Sequence, residues 1–419
     1  MNRQQIDSRD WFEIIRTIRC AVTDTTLSIP LRSLAGFRIT LSGMAVMMAG
    51  ASAPSPFYPL LQQEIGFSPA MLTGIFAVYT VALLASLLIT GSLSDHVGRR
   101  PVISAGFGLM ALSLLLFWQA DDVAGLMMAR ALQGVAAGLL LSALSATVVD
   151  LEPKERPGSA SIWNSVIPLG GLAVGALVAG ILMDITPMAE ADVFGTFVAA
   201  YALFAAVIWF IPETAPRHEG VWASLKPRIG IPATAAKPFW RSAPAVIAGW
   251  ATGGLYLSLG APIVRHVFDA QDHLTQAGVI ALLCAPGALA CYIARGHTSR
   301  QVTLYGTAAL SVGTALTLVA IAWQSLPAYL AALAIAGTGF GTCFYGVLRS
   351  IVPTVRPDER GELFAALFTL SYLAFGLPAL LAGMAVGAFG LTSTALGYGT
   401  LIVLFSAAAG LLRRFGTSD

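Results

Sequence analysis

Residues 91–102 read Gly-Ser-Leu-Ser-Asp-His-Val-Gly-Arg-Arg-Pro-Val and lie between two long apolar stretches. The residues of this link that point to a function are Gly91, Asp95, Gly98, Arg99 and Arg100. An acid at the end of an apolar helix can accept hydrogen bonds from the free N–H groups of a facing helix. A glycine permits the chain to reverse, and arginines bind acids or lipid phosphates. The link therefore predicts a polar contact that is made and broken in a moving membrane protein.

The rest of the chain has the composition of a membrane protein. Of its 419 residues, 56% are hydrophobic and only 11% are charged, and the mean hydropathy is +0.76. Soluble domains carry about 25% charged residues, and a membrane-spanning helix needs about 20 apolar residues. Twelve apolar runs are predicted to span the membrane: 39–60, 71–94, 101–119, 124–149, 159–183, 194–212, 243–264, 274–294, 302–322, 327–350, 362–386 and 391–412.

Basic residues indicate the orientation of these spans. Lys and Arg concentrate at both termini and in every second link, starting with the link between helices 2 and 3, while the other links hold mainly acids. The positive-inside rule then places both termini in the cytoplasm. In the N-terminal tail, 1–38, apolar residues recur among arginines, which predicts a helix lying on the membrane surface or, alternatively, a partly disordered tail. Residues 413–419 form a second cytoplasmic tail.

An internal repeat divides the chain into two halves. Residues 151–156 and 355–360 share Pro, Glu and Arg at the same spacing, about half a chain apart. The proline-rich stretch 213–242 predicts a cytoplasmic linker between an N-terminal half, 39–212, and a C-terminal half, 243–412. Paired six-helix halves with a site at their interface are a recurring transporter architecture. The predicted fold is an all-α membrane protein of twelve helices in two pseudo-symmetric halves.

Arg130 is the one charge predicted to lie deep in an apolar run, and Gln133, Gly134 and Gly138 follow it. An arginine within a membrane helix costs about 2.5–3.5 kcal/mol on insertion scales, so it usually faces a cavity or a partner. The alternative is an arginine that snorkels to the outer interface, because it lies within two turns of the helix start.

Helix 5 contains small residues at spacings that permit close helix packing. The residues concerned are Pro168, Gly171, Gly175 and Gly180. Close packing of helices would explain these residues as well as membership of a functional motif would.

These segments resemble the major facilitator superfamily. Residues 91–100 resemble its signature loop, G-x-L-x-D-x-x-G-R-R, at the same place between helices 2 and 3. The resemblance implies that Asp95 contacts the start of helix 11, near Gly361 and Glu362, and closes the cytoplasmic side. The corresponding link of the second half, 295–300, has no acid. A closing contact of this kind, here called a latch, is therefore predicted for the link of the first half only.

Two further motifs resemble those of the superfamily, and the second of them is typical of its drug:proton antiporters. The run from Arg130 to Gly138 resembles the helix 4 motif, which implies a role in proton transfer or its coupling. The helix 5 glycines are similar to the antiporter motif G-P-x-x-G-G, with two departures, at Leu172 and Ala176. These departures weaken the assignment as an exporter.

No Asp or Glu is predicted at the middle of any span, which favours neutral or anionic substrates over cations. Amphipathic side chains on helices 1, 5, 7, 10 and 11 are the candidates to line a central cavity, although each alone is more often a packing residue. They are Tyr58, Trp163, Asn164, Trp250, Tyr256, Tyr345 and Tyr372.

The four cysteines, Cys20, Cys284, Cys291 and Cys343, are scattered, and the histidines show no ligand spacing, so no disulfide, metal or cofactor is predicted. The expected function is alternating-access transport in a bacterial-type inner membrane, as proton-coupled efflux of a small organic compound. The alternative is uptake of a neutral or anionic metabolite. An intramembrane enzyme or a sensor fits less well, since neither polar clusters nor a signalling domain is visible. A monomer in a lipid bilayer, with a small molecule and protons but no nucleic acid as partners, is expected.

Overall fold

Twelve helices long and apolar enough to cross a membrane make up the computed structural model, which describes residues 33–227, 229–356 and 359–415. They are α1 (Ser33–Ile65), α2 (Pro69–Thr90), α3 (Arg99–Trp118), α4 (Val123–Asp150), α5 (Ser159–Ile185), α6 (Ala189–Phe210), α7 (Ala233–Val267), α8 (His273–Gly296), α9 (Ser299–Ala322), α10 (Leu326–Thr354), α11 (Arg360–Phe389) and α12 (Leu391–Phe415). The predicted number of spans is confirmed for these residues.

The second part of α1 is broken near its prolines. Regular helix gives way to a 3₁₀ turn over Ser55–Phe57 and resumes over Tyr58–Ile65. Pro54 has no N–H and cannot donate a hydrogen bond to the carbonyl of Gly50, four residues earlier. In a membrane such a carbonyl must be satisfied by a neighbouring group. The break therefore creates a demand for hydrogen-bond donors inside the bundle.

Several helices extend beyond the predicted apolar runs. α1 begins at Ser33 and α7 at Ala233, so residues 33–38 and 233–242 are helical, although they were assigned to the tail and the linker. Similarly, α12 continues to Phe415. The helices are longer than the predicted apolar runs because polarity marks where the bilayer ends, whereas a helix can continue into water. The predicted surface helix falls largely on residues 1–32, outside the described residues.

The helices form two halves, α1–α6 and α7–α12, each with its own apolar core. The first core includes the buried rings of Phe57, Phe107 and Phe194, and the second includes Tyr256 and Tyr329. The halves meet mainly along two helix pairs, α2 with α11 and α5 with α8. Opening either end of the bundle requires these pairs to separate at that end.

The two ends of the bundle differ in charge. One end, here called the basic face, carries the 91–98 link, the 211–232 linker and the ends of α1 and α12 at Ser33 and Phe415. The other end, the opposite face, carries short links such as 186–188. The alternation of helix directions thus gathers the basic links at one end, as the sequence predicts.

Candidate functional site

The 91–98 link is held by ion pairs with its own half. It contains a short helix, Leu93–Val97, ahead of α3. The Arg99 guanidinium lies 2.5 Å from Asp95 Oδ1 and 3.1 Å from Oδ2 of Asp150, at the end of α4. It also donates a hydrogen bond of 2.6 Å to Ser94 Oγ. Arg99 is buried, and its two carboxylate partners offset the cost of removing a charge from water.

Glu213, just beyond α6, caps the start of α3. Its carboxylate accepts hydrogen bonds from the backbone N–H groups of Arg99, at 2.9 Å, and of Arg100, at 3.2 Å. Burial raises the pKa of this carboxyl, but backbone N–H donors led by Ala215 outweigh burial and leave the pKa below its usual value. Gly98 precedes α3 with φ +119° and has no side chain of its own for capping. A carboxylate from another helix end therefore takes this role.

The contact with α11 that the resemblance implies is not made in this structure. Within residues 33–227, 229–356 and 359–415, no hydrogen bond or ion pair joins Asp95 to the start of α11. Instead, the backbone carbonyl of Asp95 accepts from His218 N–H at 3.2 Å, and Ser92 Oγ donates to the carbonyl of Ser224 at 3.4 Å. The link therefore contacts the 211–232 linker, and the α11 contact stays a prediction for another conformation.

Arg130 points into the helix bundle and is only 2% exposed, so the snorkelling alternative is wrong. Its Nε donates to the Tyr58 hydroxyl at 2.6 Å, and its Nη1 donates to the carbonyl of Ala51 at 3.3 Å and to the amide oxygen of Gln133. Gln133 Nε2 lies 3.5 Å from the carbonyl of Gly50. Arg130 and Gln133 thus supply donors at the break in α1.

Aromatic rings surround the Arg130 guanidinium. Its carbon lies 5.3–5.8 Å from the ring centres of Tyr58, Phe76, Tyr79 and Phe117. A ring face attracts a cation, and the attraction grows when water is excluded. Among the described residues no carboxylate pairs with Arg130, and its Nη2 has no hydrogen-bond partner. The charge is therefore held by rings and carbonyls rather than by an acid.

The motif glycines are points of close helix approach. A side chain at Gly134 or Gly138 would collide with α2, and one at Gly171 or Gly175 would collide with α1. Gly180 lies against α8, where an added Cβ would come within 2.5 Å of Ala277. Pro168 lies inside α5. Each position has a packing reason, whatever further role the motif has.

Two of the candidate cavity residues come together between the halves. Trp250 of α7 and Tyr372 of α11 have ring centres 4.9 Å apart. Tyr372 packs with Leu83 of α2 and Ala137 of α4, which belong to the first half. This aromatic pair therefore lies where a substrate between the halves would be enclosed.

The other candidates are distributed. Tyr58 is buried beside Arg130, and Tyr256 lies inside the second core, with its hydroxyl 2.8 Å from Thr317 Oγ1. Near the basic face, Trp163 of α5 packs on Tyr292 of α8 at 6.0 Å. The remaining two have these contacts: Asn164 Nδ2 donates to the carbonyl of Ser145 at 3.2 Å, and Tyr345 packs under the Arg349 guanidinium. The structure thus does not gather all seven around one space.

A contact that sequence reasoning missed joins the halves at the opposite face. Asp184, at the end of α5, accepts hydrogen bonds from the N–H groups of His273, at 3.0 Å, and Leu274, at 2.8 Å, in the first turn of α8. The His273 imidazole lies 2.8 Å from the same carboxylate. An acid at the end of one apolar run and a helix start in the other half were visible in the sequence, but nothing local paired them.

Comparison with known proteins identifies the family. The sequence model of the Major Facilitator Superfamily matches residues 40–379, which is most of the chain. The chain belongs to this superfamily. Membership confirms the predicted fold class and the prediction of a membrane transporter rather than an enzyme.

Relatives within the superfamily include named exporters. The chain is 32% identical over 151 residues to the puromycin resistance protein pur8 of Streptomyces alboniger, covering 36% of this chain and 30% of that protein. It is 30% identical over 172 residues to the cephamycin export protein CmcT of Amycolatopsis lactamdurans, covering 40% and 34%. It is also 30% identical over 166 residues to the inner membrane transport protein YnfM of Escherichia coli, covering 39% and 38%. The alignments thus span about a third of these relatives.

A solved structure agrees in fold over almost the whole length. The human organic anion transporter MFSD10 superposes with a TM-score of 0.67, covering 90% of this chain and 99% of that one, at 18% identity. This similarity supports the twelve-helix superfamily fold.

Proposed function

We propose that this transporter exports a small organic compound by alternating access, as a monomer and with protons as the coupling ion. The observation that carries the proposal is the unequal state of the two faces. At the opposite face Asp184 of the first half binds the start of α8 in the second. At the basic face no described hydrogen bond or ion pair joins the Asp95 link to α11. Halves latched at one face are suited to opening at the other.

The charge distribution supports an orientation for this conformation. The positive-inside rule favours a cytoplasmic basic face, and the relative from Escherichia coli is named an inner membrane protein. A bacterial inner membrane with both termini in the cytoplasm fits both observations. The face joined by Asp184 is then the outer one. An exporter would load its substrate after the basic face opens, which requires contacts such as that of Trp163 with Tyr292 to separate.

The direction of transport is supported by motifs and relatives. The helix 4 and helix 5 motifs resemble those of drug:proton antiporters, and two relatives are named for puromycin resistance and cephamycin export. In the described spans no Asp or Glu lies at mid-membrane depth, so a substrate cation would find no central counter-charge. A neutral or anionic organic compound is the class of substrate that fits best.

The two acids suggest how the faces alternate. When the outer face opens, the hydrogen bonds from His273 and Leu274 to Asp184 must break, which exposes the first turn of α8 to water. When the inner face closes, the start of α11 comes within reach of Asp95. Each acid would then complement a helix N-terminus of the other half in one state of the cycle.

Transport in bacteria lacking their main exporters tests the direction. Cells that express the chain are compared with cells expressing Asp95→Asn for growth on a panel of inhibitors that includes puromycin and a cephamycin. We expect the wild type alone to raise resistance to at least one compound. Equal resistance in both strains would contradict the role of Asp95, and no protection by either would contradict export of these compounds.

Inverted membrane vesicles test the coupling ion. Uptake of a labelled compound from that screen is followed with and without an imposed pH gradient. We expect uptake to stop when the gradient is collapsed. Gradient-independent flux would exclude proton coupling and favour facilitated diffusion.

A second candidate is uptake of a neutral or anionic metabolite. It is favoured by Arg130, a buried cation with no acidic partner among the described residues. Whole-cell accumulation distinguishes the two functions: an importer raises the internal level of its substrate, and an exporter lowers it.

A further inference from the structure

The arginines at the basic face have different partners in the two halves. In the first half Arg99 pairs with two carboxylates, and Glu213 caps the start of α3. In the second half the same corner is formed by the starts of α7 and α9 and the end of α12, and it holds four arginines, here called the arginine cluster: Arg241, Arg300, Arg413 and Arg414. Among the described residues no carboxylate forms an ion pair with any of them.

The cluster consists of neighbouring positive charges. Arg413 is half-buried, and the charges that act on it are those of Arg241 and Arg300. Arg300 Nη2 donates a hydrogen bond of 3.3 Å to the backbone carbonyl of Arg414. Like charges at close range repel one another, and the described residues place no counter-charge at this point.

The start of α9 does not require a carboxylate from elsewhere. Thr298 and Gln301 form a capping box that satisfies the first free N–H groups of this helix. In the first half the equivalent start has Gly98 at the cap and therefore needs Glu213. Among the described residues the acid thus has no counterpart in the second half, and an anion that neutralises the cluster must come from outside these residues.

Exposed apolar side chains surround the cluster. Trp240, beside Arg241, is 63% exposed, and Phe415, beside Arg414, is 74% exposed. Leu411 and Leu412 of α12 are also exposed. Aromatic side chains at helix ends mark the membrane interface, and apolar helix surfaces contact acyl chains. A soluble anion would use the arginines and leave these side chains without a partner.

We propose that the arginine cluster binds the phosphate headgroup of an anionic phospholipid in the leaflet at the basic face. Guanidinium groups hold phosphate oxygens through paired hydrogen bonds, and basic pockets between membrane helices accept such headgroups. The acyl chains lie along α12, next to Trp240. The proposal is independent of the direction of transport and of the coupling ion.

Native mass spectrometry of the purified full-length transporter tests the site. The protein is titrated with phosphatidylglycerol, with cardiolipin, with phosphatidylcholine and, separately, with inorganic phosphate. We expect anionic lipids to bind, and the triple variant Arg241→Gln, Arg300→Gln, Arg413→Gln to bind them about tenfold more weakly. The matched control, Lys154→Gln, Arg156→Gln, Arg217→Gln, removes the same charge from exposed positions of the link between α4 and α5 and of the 211–232 linker, and it should bind as the wild type does.

The outcomes separate the sources of phosphate. Equal loss of affinity in both triple variants would reduce the site to general surface charge and overturn the proposal. Displacement of lipid by inorganic phosphate at similar concentration would assign the site to a free anion instead. Should the triple variant fold poorly, the single variant Arg300→Gln and the Lys substitutions at the same positions take its place. Lysines keep the charge but lose the paired hydrogen bonds, so affinity should fall only in part.

Discussion

Asp184 and Asp95 are two acids of the first half placed at opposite faces, and they differ in what they bind. Asp184 accepts two backbone hydrogen bonds from the start of α8, across the boundary between the halves. Asp95 is turned toward Arg99 within its own half. Both follow a long apolar helix, so local sequence treats them alike. Their difference teaches that the same kind of side chain can bind across the boundary between the halves at one face and within its own half at the other.

The strongest test of this comparison removes the charge of Asp95. Asp95→Asn leaves the buried Arg99 with one carboxylate fewer and removes the acid predicted to meet α11. Breaking a buried ion pair costs about 3–5 kcal/mol, and Asp95 is one-third exposed, so about 2–3 kcal/mol is expected here. Transport should fall on the order of 30- to 150-fold.

Initial transport rates in proteoliposomes measure this effect, with membrane insertion checked by the amount of protein recovered. Glu155→Gln is the control, since Glu155 is an exposed acid of the same face. Equal rates for Asp95→Asn and the wild type would remove Asp95 from the gating mechanism.

Arg130 lies inside the bundle, between the two faces. Its substitution tests whether the bundle interior influences which face is open. Arg130→Lys keeps the charge but cannot reach Tyr58, Ala51 and Gln133 together. Unsatisfied buried polar groups cost about 1–3 kcal/mol each, so we expect a loss of about 2 kcal/mol in the free energy of unfolding.

Thermal unfolding in detergent measures this loss, and Arg295→Lys, at an exposed position of the basic face, is its control. Labels placed across each face should report unchanged distances. A shift of either face would mean that Arg130 biases the conformational equilibrium directly.

Asp184→Asn weakens the closed latch without removing its acceptor oxygen. Because this carboxylate is 30% exposed, its charge contributes about 1 kcal/mol, which corresponds to about a fivefold shift toward the state open at the opposite face. The distance between spin labels introduced by Ile185→Cys and Gln271→Cys reports this population.

Asp192→Asn is the matched control, because Asp192 lies at the same face but accepts its hydrogen bond from Thr186 of its own half. If both Asn variants shift the distance equally, charge at this face matters in general and Asp184 has no particular role.

Glu213 gives the smallest effect and a pH dependence. Its pKa is lower in the folded protein, since backbone N–H donors outweigh burial. Its stabilisation is therefore complete above its unfolded pKa of about 4.3 and is lost as the pH falls through the lower folded value. Glu213→Gln should cost about 0.5–1 kcal/mol at pH 7.

The difference in unfolding temperature between wild type and Glu213→Gln should shrink as the pH is lowered below 5. A difference that grows on acidification would mean that the carboxyl stabilises α3 in its protonated form.

Most of the fold could be predicted because a run of about 20 apolar residues identifies a membrane-spanning helix. The same property set its limit: apolar runs located the spans but missed the helical residues 33–38 and 233–242, where polar side chains continue a helix into water. The signature link was identified by motif. Its partners Asp150 and Glu213, which lie 51 and 114 residues away from Arg99, carried no local signal.

Composition and order of residues alone thus established the twelve spans, the grouping of arginines at one face and the unusual position of Arg130. These are properties of single helices in a membrane, where the polarity of each residue must suit the lipid, protein or water around it. The packing of one helix on another decided what each charge binds: aromatic rings and the carbonyl of Ala51 hold Arg130, Asp184 and not Asp95 joins the halves, and four arginines meet without an acid among the described residues. Hydrogen bonds and ion pairs act over a few ångströms, so they depend on which distant segments the fold brings together.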